Sequence, residues 1–134
     1  MRREFELNGE EAEFLDTLSS SWETIRNDNQ KWVLIPDFPI PEGYNVRSAI
    51  AAVLIPTGYP VAQLDMVYFY PEIKRKDGMT IPCTDFNRTI DGKIFQRWSR
   101  HYARKGNGAW DPQGDSIITH CMAIQEWLLR EFRR

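Results

Sequence analysis

The sequence predicts an α+β fold in which an antiparallel β-meander is flanked by an N-terminal and a C-terminal helix. Apolar residues recur at helical spacing near the start, at Phe14, Leu15, Leu18, Trp22 and Ile25. They do so again near the end, where Ile117, Cys121, Ile124, Leu128 and Phe132 line one helix face. Between these segments lie the β-rich runs WVLIP, VRSAIAAVLIP and MVYFYPEI, joined by FPIPEGY and TGYPVAQ. Those connections carry Pro and Gly turn signals and are too short for the crossovers that parallel neighbours require.

Each element has its own signal. Asn8 followed by Glu11 is the pattern of a capping box, so the first helix starts at Asn8, and its apolar stripe predicts an end near Asn27 to Asn29. Strands are expected over most of Trp32 to Pro36, Val46 to Ile55 and Met66 to Tyr70, with Tyr59 and Pro60 in a packed turn. From Lys74 to Gly108 the chain is polar and glycine-punctuated, which is long for a loop; it is functional or hides short strands. The last helix should run from near Asp115 to Phe132, with Trp110 and Pro112 shaping the turn into it and Asp111 or Asp115 as its N-cap.

Composition narrows the class. At 134 residues, one domain spanning 1–134 is expected, and 42% hydrophobic with 13% aromatic residues suffices for a core. Seventeen basic against nineteen acidic residues give a net charge of −2, so bulk charge points to neither nucleic acid nor a membrane surface. The start MRREFELNGEEAEFLDTL lacks the apolar stretch of a signal peptide, and no run is long enough to span a bilayer. The two cysteines, Cys83 and Cys121, show no CxxC or zinc-ligand spacing, so the expectation is a cytoplasmic protein with reduced thiols, no structural metal and no cofactor.

Several short motifs stand in a characteristic order: LIPDFPIPEGY, LIPTGYP, LDMVYFYP, NRTIDGKIF, QRWSRH and W-x-x-x-x-D-S. Together they resemble a bacterial branch of the ubiquitin-conjugating enzyme superfamily, whose genes often neighbour those for an activating enzyme, a ubiquitin-like protein and a peptidase. The resemblance covers nearly the whole chain. It implies a ubiquitin-conjugating-like fold and transfer chemistry: an activated ubiquitin-like C-terminus passes to a nucleophile on this protein, then to an amine or hydroxyl on a target. It also implies partners, namely an activating-enzyme-like protein, a ubiquitin-like modifier and protein targets, in a bacterial pathway of the antiviral-defence type. Docking of the activating enzyme is expected on the exposed face of the first helix, at Glu10, Glu13, Thr17 and Glu23.

The family pattern places an Asn eight positions before its catalytic Cys; Asn87 stands at that distance from Phe95, so the expected cysteine is a phenylalanine. Sliding towards the Trp reaches Ser99. Cys121 lies on the apolar stripe of the last helix and reads as a core residue, and neighbouring His120 points about 100° away around that helix. Cys83 is the alternative nucleophile, although adjacent Asp85 carries the charge that disfavours a thiolate and no His is close in sequence. An alcohol needs a base to take its proton, and His101 is two residues after Ser99. If the segment is extended, Arg97, Ser99 and His101 share a face, with the Cα atoms of Ser99 and His101 about 6.6 Å apart. Arg97 or Arg100 would stabilise the oxyanion of a tetrahedral intermediate, with Asn87 as a further donor.

Two functions compete on these grounds. The first is a conjugating enzyme carrying the modifier as an oxygen ester on Ser99, or as a thioester on Cys83. The second is a catalytically inactive adaptor that binds the modifier or the activating enzyme.

Overall fold

In the computed structural model, which describes residues 1–133, Asn8 caps the first helix, α1 (Gly9–Leu18). Its side chain accepts from the Glu11 amide at 2.8 Å, and Glu11 returns the bond to the Asn8 amide at 3.0 Å. Only Leu15 of its apolar residues is fully buried.

The helix is shorter than its apolar spacing predicts. Ser19 ends it in an extended conformation, and its hydroxyl accepts from the Ser21 amide, a local bond that competes with further helix. Trp22 and Ile25 therefore do not continue the helical stripe: Ile25 belongs to strand β1 (Glu23–Asn27) and Trp22 directly precedes it. Asp28 and Asn29, both with positive φ, then form the tight turn into β2 (Gln30–Pro39). The indole of Trp22 donates to Asp16 at 2.7 Å, tying strand to helix.

The meander continues through β3 (Ser48–Ile55) and β4 (Val67–Tyr70), as the apolar runs predict. The segment after Lys74 does hide strands: β5 (Phe86–Ile90) and β6 (Lys93–Trp98) form a hairpin around Asp91 and Gly92, both at positive φ. Order across the antiparallel sheet is β1-β2-β3-β4-β6-β5. The last helix, α2 (Ile117–Arg130), leads into a 3-10 turn at Glu131–Arg133.

Both faces of the sheet are buried, which explains why its central strands read as continuous apolar runs. Val33, Ile35, Ala51, Val53, Val67, Phe69 and Trp98 face the helices, where they meet Leu15, Ile117, Cys121, Ile124 and Leu128. Alternate residues Ile25, Trp32, Leu34, Ala52, Tyr68, Ile90 and Phe95 form a second core on the opposite face. Among the described residues no helix covers that face; the sheet curls over it instead. Ile25 of β1 and Ile90 of β5 share this cluster although their strands lie at opposite ends of the sheet order. The Arg88 guanidinium lies 4.9 Å over the Trp32 ring and donates to Gln30.

The seam between β1 and the β5–β6 hairpin is closed by charge. Arg2 binds Glu23 through Nε (3.0 Å) and Nη2 (2.8 Å), and Asp91 through Nη1 (2.9 Å) and Nη2 (2.7 Å). Glu23 is thus committed to an ion pair on a strand instead of standing on the exposed face of the first helix. Its bonds to Arg2 hold its carboxyl down at about 2, and those of Asp91 to Arg2 likewise lower that carboxyl below its usual range.

A depressed folded value contributes stability above the unfolded value of 4.5 that is lost as pH falls through about 2. Partial exposure screens the network, so Arg2→Ala should cost on the order of 1–2 kcal/mol at neutral pH in urea unfolding. That difference should shrink as the pH is lowered towards 2; a constant difference would mean that the seam is held by packing alone.

Candidate active site

Strand β6 ends at Trp98, a fully buried indole whose Nε1 donates to Gln96 Oε1 at 3.1 Å. That anchor fixes where the following residues emerge. The Ser99 amide donates to the Cys83 carbonyl at 3.1 Å, and the Arg100 carbonyl accepts from the Met66 amide at 3.1 Å. Held between these two neighbours, the chain stays open beyond the strand instead of coiling.

In this conformation Ser99 Oγ lies 3.1 Å from His101 Nε2. The other ring nitrogen, Nδ1, lies 2.9 Å from Asp65 Oδ1. A carboxylate only accepts, so Nδ1 carries the proton and a neutral ring leaves Nε2 to accept from the serine hydroxyl. Serine, imidazole and carboxylate thus form one hydrogen-bonded chain with the connectivity of a nucleophile, its base and the group orienting the base. The His101 side chain is 58% exposed, so the chain opens to solvent.

Asp65 was not legible as a site residue. It lies on the approach to β4, whose Val67 pairs with Trp98; extending that antiparallel register sets Asp65 opposite Arg100, beside His101. Finding it from sequence requires knowing that β6 exists and pairs with β4. Its backbone setting is unusual as well, because the next residue, Met66, has φ +56°.

A second network supports the first from inside. Buried His120 donates from Nε2 to the Met66 carbonyl at 2.8 Å, which leaves Nδ1 to accept from the Tyr102 hydroxyl at 2.6 Å. Tyr102 follows His101, and Met66 follows Asp65, so this one imidazole braces the chain beside both groups. The Trp110 ring packs 5.3 Å from Tyr102, centroid to centroid, and its Nε1 donates to the Pro60 carbonyl at 2.9 Å.

The other sequence candidates fall elsewhere. Arg97 lies 4.3 Å over the Phe86 ring, with Nε buried and without a hydrogen-bond partner among the described residues. Arg100 is committed to the Pro82 and Ser99 carbonyls at 3.1 and 3.0 Å and to Glu131 at 3.1 Å. Asn87 pairs with Gln96, three residues before Ser99, so about 10 Å of strand lies between that pair and the serine. Phe95, at the register of the family cysteine, is 1% exposed in the second core. Cys83 is exposed beside Ser99, while burial pushes the Cys121 thiol up to about 12.

The N-cap of α2 is Ser116, not Asp111 or Asp115. Its hydroxyl accepts from the Ile118 amide at 3.1 Å, and Thr119 accepts from the Ser116 amide at 3.0 Å. Asp115 instead closes the preceding turn by accepting from the Asp111 amide at 2.8 Å. Tyr59 is the packed turn residue expected, accepting from the Ile117 amide at 2.8 Å and bonding Glu11. Among the described residues no cluster of side chains fits a metal ion, and no helix is long and apolar enough to cross a membrane.

Burial pushes His120 down to about 4 from its ordinary 6.5. A lowered folded value means that the stability of the neutral ring is complete above 6.5 and is lost as pH falls through about 4. Urea unfolding should therefore show wild-type stability falling across this window by an amount on the order of 3 kcal/mol from this residue. His120→Gln should remove that part of the slope; equal slopes in both proteins would contradict a buried neutral ring.

Comparison with known proteins bears on this geometry. The family model described as Prokaryotic E2 family E matches residues 7–131, which takes in the capping box, the whole sheet, the Ser99 segment and α2. No curated protein and no solved structure matches the chain. Matched over nearly its full length, with an antiparallel sheet packed on two helices, the chain belongs to Prokaryotic E2 family E, a bacterial family of ubiquitin-conjugating-like proteins.

Proposed function

We propose that this protein is a conjugating acyltransferase that carries the C-terminus of a ubiquitin-like modifier as an oxygen ester on Ser99. The observation that supports this reading is the chain from Ser99 through His101 to Asp65. In the first transfer, Ser99 Oγ attacks the thioester carbonyl presented by the activating enzyme, and His101 Nε2 takes the hydroxyl proton. The imidazolium then protonates the departing sulfur. In the second transfer, an amine or hydroxyl of the target attacks the ester, loses its proton to the same nitrogen, and Ser99 recovers a proton as it leaves.

An ester is less reactive towards amines than a thioester, so the second step depends on His101 more than it would in a cysteine enzyme. Asp65 keeps the ring in the accepting tautomer and balances its charge when protonated. Arg97 stands two residues before Ser99, its guanidinium stacked on Phe86 and its Nε without a hydrogen-bond partner among the described residues, and we assign it to the developing oxyanion. By resemblance, the pathway is a cytoplasmic, defence-type one in which an activating-enzyme-like protein docks on α1.

With ATP, activating enzyme and modifier, the expected adduct survives thiol reductant and is cleaved by mild alkali. Ser99→Ala should abolish it and Cys83→Ser should spare it. His101→Ala should slow its formation by roughly 10²- to 10⁴-fold, as loss of a general base does. Loss of the adduct on reduction and in Cys83→Ser would make Cys83 the nucleophile. No adduct from a charged activating enzyme would leave the adaptor.

Glu10, Glu13 and Thr17 are exposed on α1. Reversing the charge of Glu10 and Glu13 should weaken the activating-enzyme complex about tenfold at low salt and less at high salt. Unchanged binding would place the docking surface elsewhere.

A further inference from the structure

We infer that this protein by itself, without activating enzyme or ATP, hydrolyses small acyl thioesters through Ser99 and leaves the corresponding amides intact. The inference rests on the nucleophilic role proposed for Ser99 and adds the fate of the acyl group and the substrate class.

Two observations carry it. The first is that the base is open to water: the His101 side chain is 58% exposed while Asp65 holds it at 2.9 Å. Once Ser99 is acylated its hydroxyl no longer occupies Nε2, and that nitrogen, on a ring more than half exposed, is left to accept a proton from water.

The second observation sets what the site accepts. The backbone amide of the nucleophile is a usual oxyanion donor in serine acyl transfer. Here the Ser99 amide already donates to the Cys83 carbonyl at 3.1 Å. Losing one such donor costs roughly 10²–10³ in rate. A thioester tolerates that loss, because thiolate is a good leaving group. An amide, whose nitrogen must be protonated and expelled from a fully stabilised intermediate, does not.

The steps balance without a further reagent. Ser99 Oγ bonds to the carbonyl carbon, its proton moves to His101 Nε2, the C–S bond breaks, and sulfur leaves with that proton as a thiol. Water then adds to the ester carbonyl and gives a proton to Nε2. The bond between acyl carbon and Ser99 Oγ breaks, and the serine takes the proton back. Net, thioester and water become carboxylic acid and thiol.

The test uses the purified full chain and the 2-mercaptoethanesulfonate thioester of acetylglycine, with acetylglycinamide as the amide counterpart, and follows free acetylglycine by liquid chromatography. Acid should exceed the protein by many equivalents from the thioester and stay at background from the amide. Ser99→Ala, His101→Ala and Asp65→Asn, each checked for native near-ultraviolet circular dichroism, should lower thioester turnover by about 10² or more.

Release that halts at one equivalent, with acetylglycine retained on Ser99, would overturn the hydrolysis and leave the conjugating role standing. The same holds if the thioester is untouched while Ser99 still accepts modifier from the activating enzyme. Turnover that persists in Ser99→Ala and is lost in Cys83→Ser would overturn both readings. Cleavage of acetylglycinamide would overturn the restriction to thioesters.

Discussion

The peptide groups of Met66 are the joint on which the site depends. The Met66 amide donates to the Arg100 carbonyl at 3.1 Å, and the Met66 carbonyl accepts from His120 at 2.8 Å. These bonds link the entry to β4, the exit from β6 and the first turn of α2. Met66 adopts φ +56°, a conformation that costs a non-glycine residue on the order of 1 kcal/mol or more and persists where its surroundings fix it. The result is that Asp65, immediately before it, reaches His101. A carboxylate, an imidazole and a serine from two separate segments are aligned by backbone hydrogen bonds, not by their own weak surface attraction.

That alignment needs a rigid platform, and the doubly buried sheet provides it. Trp98 sits against Phe69 and Tyr44 on the helix side, with ring centroids 5.7 and 6.1 Å away, and ends β6 at a fixed depth. Phe95, three residues earlier, fills the opposite core. A cysteine at that position would be sealed inside the curled sheet, beyond the reach of another protein's thioester. Past the end of the strand, where the chain leaves the core, stands Ser99 with His101 Nε2 3.1 Å from its hydroxyl, the position we propose for the acyl group. The hairpin that closes the second core over Trp32 and Ile25 also carries Phe95 inward and ends just before Ser99.

Local signals were readable in the sequence, and long-range ones were not. The β2 to β4 meander and the stripe of α2 follow from apolar runs and period, and the Asn8 and Glu11 cap from a short motif. Ser99 and His101 could be paired because an extended chain brings residues i and i+2 to one side. The end of α1 was missed because Trp22 and Ile25 continue the helical spacing by coincidence while Ser19 and the Asp28-Asn29 turn impose a strand. Asp65 was missed because its proximity to His101, across 36 residues of chain, is created by β4 pairing with β6. The brace from Tyr102 through His120 was missed because it joins the chain beyond β6 to α2 across 18 residues.

The central claim is that Ser99, not a cysteine, receives the acyl group. The most direct measurement is mass-spectrometric mapping of the modified residue after charging by the activating enzyme, with proteolysis under acidic conditions that preserve esters. The account predicts the modifier's C-terminal remnant on the fragment ion containing Ser99, in protein whose Cys83 remains alkylatable. A remnant on Cys83 with Ser99 unmodified would contradict it.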